Sequence, residues 1–291
     1  MKWHCTIIVA TLVLLTVAAG PAMALPTIYG SAYLGTGGPA SLYTIDPTTG
    51  AATLVGAIGF NSVGGIDFDP LNGLLYGTGR TASGTNVLIS INPLTGAGTQ
   101  IGALGIGNNV QDISFRSDGT LFAFANATNS NGNIYTISTL TGAATLVGPT
   151  GFSGFSGDGL AFSPSDTLFT VNNADIQTVD QMTGAGTVVT NMNYVNGLGT
   201  NERANGMDFD PATGTLWASV NNGFIASGPN YLETIDVSTG NATLIGQTQA
   251  GMDALAVALV ASVPEPSTWA AGLLTAGALF RSLWRGRIRL S

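Results

Sequence analysis

The sequence predicts an all-β fold built from repeated four-stranded units. A run of short alternating apolar segments around a Thr-Gly pair recurs along the chain, and its glycines are separated by 46, 46, 42 and 56 residues. A period in the forties with several short strands per repeat is typical of a propeller blade. The repeat therefore predicts a five-bladed β-propeller. Its copies lie at 42–56, 88–102, 134–148, 176–190 and 232–246, with the glycines at Gly50, Gly96, Gly142, Gly184 and Gly240.

Each repeat is predicted to supply four strands, which we label A to D in chain order. In the first complete repeat, strand A is GGIDFD (64–69) and strand B is LLYGTG (74–79). Strand C precedes the Thr-Gly turn and strand D follows it. The alternation of Ile66 and Phe68 with smaller or polar residues is the period-two pattern of a half-buried strand. The four complete repeats cover about 64–102, 111–148, 158–190 and 205–246.

The strands left over at the two ends of the chain make one further blade. An A strand remains at 252–259, and B, C and D strands remain at 27–33, 41–46 and 51–56. Propellers protect their strand edges by closing the ring. We therefore expect five blades, the last combining strands from both termini, in a domain spanning residues 25–262.

The loops divide into two groups. Because successive strands are antiparallel, the A–B and C–D turns share one face, the tight-turn face, and the B–C and D–A loops share the other, the long-loop face. Long loops over a rigid scaffold usually carry function, so the long-loop face is the predicted binding face and the tight-turn face the predicted scaffold. The long loops are 79–86, 125–133, 191–205 and 221–230.

Residues 1–24 are predicted to be a secretory signal peptide with a helical apolar run. Lys2 precedes the apolar stretch 7–19, and the segment closes on Ala22-Met23-Ala24. A basic start, an apolar run and a small-residue A-x-A end are the three parts of such a signal. The mature chain would begin at Leu25 and be exported through the inner membrane.

The C-terminal segment 263–291 has a second tripartite pattern. Pro264-Glu265-Pro266 precedes an apolar run at 269–280, and an arginine cluster follows. The run, predicted to be a hydrophobic helix, is short for a bilayer span, which needs about 20 residues. The arginines would keep the C-terminal end of this run on the cytoplasmic side of the membrane.

This order closely resembles the PEP-CTERM sorting signal of Gram-negative bacteria. The resemblance implies that an exosortase cleaves near Pro264-Glu265-Pro266 after a transient stay in the inner membrane, and that the protein reaches the cell surface or the medium. Members of this group usually accompany exopolysaccharide production. A plain C-terminal anchor would keep the same topology and omit the cleavage.

The charge and the rare residues exclude several functions. Residues 25–262 contain three arginines, no lysine and 15 acids, a net charge of −12 that repels nucleic-acid phosphates. The only cysteine and the only histidine, Cys5 and His4, lie in the leader. The mature domain therefore lacks disulfides, thiolate or imidazole metal sites, and Ser-His or Cys-His nucleophiles.

One candidate metal site comes from residues just ahead of the A strands, which should face the mouth of a central channel. Asp158, Asn205 and Asp253 place oxygen ligands there from consecutive blades, beside Gly64 and Gln111. DGLAF (158–162) and NGMDF (205–209) resemble strand starts in gluconolactonase-type propellers, which implies a metal-dependent hydrolase. Oxygen ligands alone would suit Ca²⁺. The alternative is that these side chains cap strand ends and bind water, with no cofactor.

Two other acidic patterns have simpler interpretations. Asp158 and Asp253 could form a carboxylate pair for glycoside hydrolysis, but such sites normally carry more acids and aromatic residues. The DFDP sequences at 67–70 and 208–211 resemble half of an acidic metal loop without its continuation. We assign these aspartates to turns.

A sugar-binding surface is the remaining candidate. Asparagines recur at the ends of B strands and, with a tyrosine nearby, would suit sugar hydroxyls, although Asn also serves left-handed turn positions. The favoured prediction is an exported, non-catalytic binding or matrix protein that contacts exopolysaccharide. The alternatives are the metal-dependent hydrolase and a scaffold for other surface proteins. The ligand-face candidates are Asn126, Asn172, Asn173, Tyr194, Asn221 and Asn222.

Overall fold

The computed structural model describes residues 25–34, 38–107, 109–126, 131–153, 159–171, 174–194, 202–222 and 229–258. These fall in one compact unit, Leu25–Val260. All regular secondary structure in the described residues is β-strand, which confirms the all-β prediction. No helix capable of crossing a bilayer occurs among them. The predicted signal peptide (1–24), the sorting segment (263–291), Asp158, Asn172 and Asn173 lie outside the described residues.

The described strands follow the repeat. Most coincide with the predicted A to D segments within a few residues. In chain order they are β1 Ile28–Ala32, β2 Pro39–Ile45, β3 Ala52–Phe68, β4 Leu75–Arg80, β5 Asn86–Ile91, β6 Gly98–Ala103, β7 Val110–Phe115, β8 Leu121–Asn126, β9 Asn131–Ile137, β10 Ala144–Ser153, β11 Gly159–Phe162, β12 Leu168–Val171, β13 Asp175–Val179, β14 Gly186–Asn191, β15 Asn193–Tyr194, β16 Glu202–Phe209, β17 Leu216–Asn222, β18 Asn230–Ile235, β19 Asn241–Gln247 and β20 Met252–Val257.

Four sheets result, and each contains antiparallel sets of four strands. Their strand orders are β20-β1-β2-β3-β4-β5-β6, β10-β9-β8-β7, β11-β12-β13-β14 and β15-β19-β18-β17-β16. The A strands of successive repeats, namely the end of β3, then β7, β11, β16 and β20, contact one another in that order, and β20 also contacts β3. Strand β20 pairs with β1 in antiparallel register, with Val257 opposite Ile28.

The seven-stranded sheet exists because β3 serves two sets of strands. Its beginning pairs with β2 as a D strand, where Ala52 lies opposite Ile45. Its end pairs with β4 as an A strand, where Phe68 lies opposite Leu75. The sequence predicted two separate strands, at 51–56 and 64–69. Instead one strand continues between them, with a register shift between Asn61 and Gly65 and a φ of 45° at Ser62.

Aromatic pairs join neighbouring repeats in the core. In each case a ring on a B strand packs against the phenylalanine that ends the next A strand, in edge-on or tilted geometries that favour aromatic contact. The ring centroids lie 5.6 Å apart for Tyr29–Phe68, 5.4 Å for Tyr76–Phe115, 5.2 Å for Phe122–Phe162 and 5.8 Å for Phe169–Phe209. Trp217 and Val257 occupy the corresponding positions at the next junction and belong to one buried cluster.

Glycine pairs explain the regularity of the Thr-Gly turns at the outer rim. A Cβ on Gly102 would lie 1.9 Å from the carbonyl oxygen of Thr141, and one on Gly142, whose φ is 80°, would lie 2.6 Å from the carbonyl oxygen of Gly102. The backbone of each such turn therefore packs directly against the D strand of the preceding repeat. At the corresponding point of β14 the chain has Thr190 instead of glycine. There the chain continues into β15, a strand that was not predicted and that pairs in parallel with β19.

Candidate functional site

Buried aspartates on the A strands connect one repeat to another. The N–H of Phe115 donates to Oδ2 of Asp67 at 2.6 Å, across 48 residues. The N–H of Val257 donates to Oδ2 of Asp208 at 2.7 Å, across 49 residues. Asp112 Oδ2 accepts two such bonds, from the N–H of Leu160 at 2.9 Å and of Met207 at 3.2 Å. Ser114 makes the same type of bond, because its Oγ accepts the N–H of Phe162 at 2.9 Å.

These bonds supply acceptors for N–H groups that the sheets leave without partners. An A strand has a neighbour on only one side of its sheet, so the N–H groups of its other edge need partners from elsewhere once they are buried. Asp67, Asp112 and Asp208 provide those partners from other repeats, and Asp112 serves both the next repeat, at Leu160, and the one after it, at Met207. The assignment of Asp67 and Asp208 to turns was wrong. It holds for Asp69 and Asp210, which accept the N–H groups of Leu71 at 2.8 Å and Ala212 at 2.9 Å.

Burial dominates the electrostatics of this group. It raises the pKa of Asp67 to about 7, although N–H bonds from Phe115 and Phe68 act in the opposite direction. It also raises the pKa values of Asp112 and Asp208 well above the usual range. The negative charge of Asp67 contributes to the shift at Asp208, so the two carboxyl groups sense each other. A carboxyl group that keeps its proton when buried avoids the desolvation cost of the charge.

Among the described residues, Asp253 at the start of β20 has one side-chain hydrogen-bond partner. The hydroxyl of Tyr33 donates to its Oδ2 at 2.6 Å. Burial raises the pKa of Asp253 to about 6, and this hydrogen bond partly offsets the shift. A Cβ on Gly64 would lie 3.4 Å from the same oxygen, so the carboxylate lies beside the start of another A strand. The predicted neighbourhood of Gly64 and Asp253 is therefore present in the structure.

The predicted metal set is only partly visible. Asn205 is half-buried on β16, directly before Gly206, where a Cβ would lie 2.5 Å from the carbonyl oxygen of Asp253. Asn205 and Asp253 thus lie on adjacent A strands, Asn205 as the fourth residue of β16, but Asp158 lies outside the described residues. Within the described ranges no group of three or more His, Cys, Asp or Glu side chains is arranged to hold a metal ion. The Ca²⁺ site stays a prediction.

The predicted sugar-binding residues are also partly described. Asn126 and Asn221 are half-buried at the ends of β8 and β17, and their side-chain oxygens have no hydrogen-bond partner in the part of the chain that the structure describes. Tyr194 lies on β15, where burial and the nearby charge of Glu233 raise its pKa. Asn222 ends β17, but its side chain lies outside the described set.

A cavity of about 240 Å³ lies on the tight-turn face, where only scaffold was predicted. Its lining combines apolar residues with polar ones, among them Asp67 and Asp208. The signal in the sequence was the phenylalanine that ends successive A strands, with valine at the last. We call this space the A-strand pocket. Besides the two aspartates it is lined by Phe68, Phe115, Phe162, Phe209, Val257, Pro70, Pro164, Pro211, Ser117, Ser163 and Asp166.

Comparison with solved structures finds distant likeness to the fold. TolB from Acinetobacter baumannii is 14% identical over 78% of this chain and 54% of its own, with a TM-score of 0.48. A structure from a nidogen/laminin complex is 14% identical over 80% of this chain and 98% of its own, with a TM-score of 0.49. The PQQ-bound aldose sugar dehydrogenase of Streptomyces coelicolor is 15% identical over 80% and 87%, with a TM-score of 0.43.

This chain thus spans about half the length of TolB, 54%. No protein-family model matches the chain, and neither does any curated protein. Likeness at this level concerns the fold and not the function, because one fold hosts many functions.

Proposed function

We propose that this chain is an exported five-bladed β-propeller that binds polymer at the cell surface or in the extracellular matrix and catalyses no reaction. Two observations support the closed five-bladed ring. Strand β20 pairs with β1, and the A strands contact one another in sequence with β20 returning to β3. In this arrangement the fifth blade is made of β20, β1, β2 and the beginning of β3.

The observation that carries the non-catalytic role is the use of the A-strand carboxylates. Asp67, Asp112 and Asp208 accept backbone N–H groups of other repeats, and Asp253 accepts the hydroxyl of Tyr33. A general acid or base needs a lone pair or proton directed at substrate. These carboxyl groups direct theirs at the protein itself, which is the behaviour of structural residues.

Binding is assigned to the long-loop face. Asn126 and Asn221 end B strands on that face and keep side-chain oxygens without partners among the described residues. A buried polar atom without a partner costs free energy unless a ligand or water pairs with it. Sugar hydroxyls both donate and accept, so a polysaccharide strand would satisfy these amides. The resemblance to exopolysaccharide-associated proteins adds to this assignment.

The polymer role is tested by co-sedimentation of the full-length chain with exopolysaccharide isolated from a Gram-negative host. The variant Asn126→Ala/Asn221→Ala should lower the bound fraction several-fold. Thr99→Ala, an exposed change on the outer strand β6, should leave it unchanged. Undiminished binding by the double variant would refute the assignment of the face. Binding lost on chelation and restored by Ca²⁺, or lost in Asp253→Ala, would instead favour the metal-dependent hydrolase.

The proposed export route can be tested by determining the first and last residues of the exported protein. We expect the exported form to begin at Leu25 and to end near Pro264-Glu265-Pro266 in a host with an exosortase. Replacing Glu265 with Ala should leave the C-terminal segment attached, which mass spectrometry of the intact protein would show. An unprocessed C-terminus in the unmodified protein would identify a plain anchor.

A further inference from the structure

We propose that the tight-turn face docks on a lipid bilayer through large apolar side chains at the tips of its turns, while the C-terminal segment is held in that bilayer. The inference rests on the membrane stage of the export route proposed above, and it is independent of polymer binding. It places the long-loop face on the side of the domain that is turned away from the lipid.

The first argument is the exposure of three residues at the turn tips. Leu94, Leu140 and Met182 lie two residues before the glycine of the Thr-Gly turn in three consecutive repeats. They are 85%, 88% and 88% exposed, the highest values for large apolar side chains in the part of the chain that the structure describes. Single apolar residues scattered over a surface need no explanation. These three, which we call the apolar tips, recur at one position of one face.

The apolar tips lie on one side of the tight-turn face. A Cβ on Gly142 or Gly184, in the turns of the second and third repeats, would lie 2.6 Å or 2.5 Å from a carbonyl oxygen of the preceding repeat, so these turns belong to repeats in direct contact. Leu71, 69% exposed in the A–B turn of the first repeat, adds to the same side. The other two repeats have Thr48 and Ser238 at the tip position. The face therefore carries apolar tips on one side and polar tips on the other.

The second argument is the place where the chain leaves the domain. The N–H of Ala258, directly after β20, donates to the carbonyl oxygen of Thr27, directly before β1, at 2.9 Å. Val257 lines the A-strand pocket, so this end of β20 belongs to the tight-turn face. The chain continues from this face towards the apolar run 269–280. The ten residues 259–268 lie between them, and fully extended they span at most about 36 Å.

This short connection makes docking an intramolecular step. When the run 269–280 enters a bilayer, the connection holds the tight-turn face near the lipid and raises the effective concentration of lipid at the apolar tips. Removing apolar side chains from water is favourable in proportion to the area that is buried. The fold does not need to change, because the apolar tips are already exposed.

The third argument is charge, which selects the type of lipid. Residues 25–262 carry a net charge of −12, so anionic headgroups would repel the domain and zwitterionic headgroups would not. The turns with polar tips begin with Asp46 and Asp236, whereas two of the three turns with apolar tips begin with the uncharged residues Asn92 and Ser138. The contact is therefore apolar, and it suits a zwitterionic surface.

The orientation is tested with the full-length chain reconstituted in phosphatidylcholine vesicles that contain a nitroxide-labelled lipid. One bimane label is attached in a Cys5→Ser background through Leu140→Cys, Leu34→Cys or Ala278→Cys. Leu34 is 60% exposed in the loop after β1 on the long-loop face, and Ala278 lies in the apolar run. We expect the lipid to quench the label at positions 140 and 278 and to leave the label at position 34 unquenched.

The three labels separate this inference from the export route. Quenching at position 278 alone, or equal quenching at positions 140 and 34, would overturn the docking of the tight-turn face and leave the export route intact. No quenching at position 278 would overturn both, because the segment would then not enter the bilayer. Polymer binding is measured separately by co-sedimentation and does not depend on any of these results.

A matched pair of triple variants tests the apolar tips, with the label moved to Leu71→Cys on the same face. The first variant replaces the apolar tips by serine, which Ser238 shows to be compatible with the turn. The control replaces three exposed apolar residues of the outer D strands by threonine, which suits a strand. The two variants are Leu94→Ser/Leu140→Ser/Met182→Ser and Leu54→Thr/Leu146→Thr/Val188→Thr.

The first variant should lower the ratio of docked to undocked domain by at least about ten-fold, and the control should leave it unchanged. Equal losses in the two variants, or no loss in the first, would overturn the proposal. Replacing part of the phosphatidylcholine by phosphatidylglycerol should weaken quenching at position 140, and stronger quenching would contradict an apolar contact. Energy transfer between labelled copies without quenching by lipid would identify a second copy as the occupant and would also overturn the proposal.

Discussion

Two sets of aspartates recur with the repeat and differ in almost every physical respect. Asp46, Asp180 and Asp236 lie in the Thr-Gly turns, exposed, and each accepts N–H groups only two or three residues ahead, as Asp46 does from Thr48 at 2.7 Å. Asp67 and Asp208, at the equivalent position of two A strands, are buried and accept N–H groups 48 and 49 residues away. Hydrogen bonds lower the pKa of the turn aspartates, and burial raises the pKa of the inner ones.

The difference shows that exposure to water decides whether the pKa of a carboxyl group is lowered or raised. In the turns, water solvates the charge and the N–H groups add to its stabilisation. In the core the same kind of bond forms, but desolvation outweighs it. One residue type therefore serves as a local turn former at the rim and as a long-range connector of repeats at the centre.

The largest effect is expected for Asp112→Ala. The change leaves the buried N–H groups of Leu160 and Met207 without an acceptor, and it should lower the free energy of unfolding by about 3 kcal/mol. Urea unfolding followed by tryptophan fluorescence would measure it. Asp46→Ala, made in a turn, serves as the comparison. Equal effects would mean that the inner bonds are no more important than the turn bonds.

A reversible effect is expected from pH. The inner aspartates have raised pKa values, about 7 for Asp67 and about 6 for Asp253, so the folded protein binds more protons than the unfolded chain between about pH 4 and 7. Their contribution to stability is complete below about pH 4 and is lost as the pH rises through 6 and 7. The unfolding midpoint should therefore rise when the pH is lowered from 8 to 5.

The turn aspartates act in the opposite direction at lower pH. Their lowered pKa values mean that their contribution is present above about pH 4 and is lost below it. Stability should thus have a maximum near pH 4 to 5. Asp67→Asn should flatten the change between pH 8 and 5, and Asp46→Asn should not. A midpoint that falls steadily from pH 8 to 5 would contradict the assignment of the inner set.

A smaller loss is expected for Ser114→Ala. The N–H of Phe162 would lose its acceptor and Asp67 would lose its hydrogen bond with the Ser114 side chain, which together should cost about 1 to 2 kcal/mol. The next repeat has Ala161 at the corresponding position, so the architecture already accepts one such omission. Differential scanning calorimetry of Ser114→Ala and Asp112→Ala would compare the two losses of stability. A loss as large as that of Asp112→Ala would mean that the number of bonds does not determine the effect.

The smallest effect is expected for substitutions in the exposed turns. Asp46→Asn should leave the unfolding midpoint nearly unchanged, because Asn92 occupies the same turn position in another repeat and accepts the N–H of Leu94 at 2.8 Å. Asp46→Ala should lower it slightly, since the acceptor is lost at a place where water can replace it. Thermal unfolding of both variants would check this ranking. A fall in the unfolding midpoint of Asp46→Asn as large as that of Asp112→Ala would contradict it.

The sequence predicted what depends on neighbours in the chain. Period-two alternation located strands such as β4 and β7, and Asp-Pro and Thr-Gly pairs located the tight turns. The bonds of Asp67 and Asp208 were missed because they depend on which repeats lie side by side. The A-strand pocket was missed for the same reason, since its walls come from successive repeats. Strand β15 was missed because Thr190, in place of a glycine, marked the change only indirectly.

The pairing of β1 with β20 has a consequence for how the chain acquires its structure. Ile28 and Val257 are partners, yet almost the whole domain separates them in sequence. Contacts of such long range are slow to form because the intervening loop must first be closed at an entropic cost. During synthesis the edge of β1 that pairs with β20 therefore stays unpaired until β20 has been synthesised. Completion of the fold therefore requires the strand that is synthesised last.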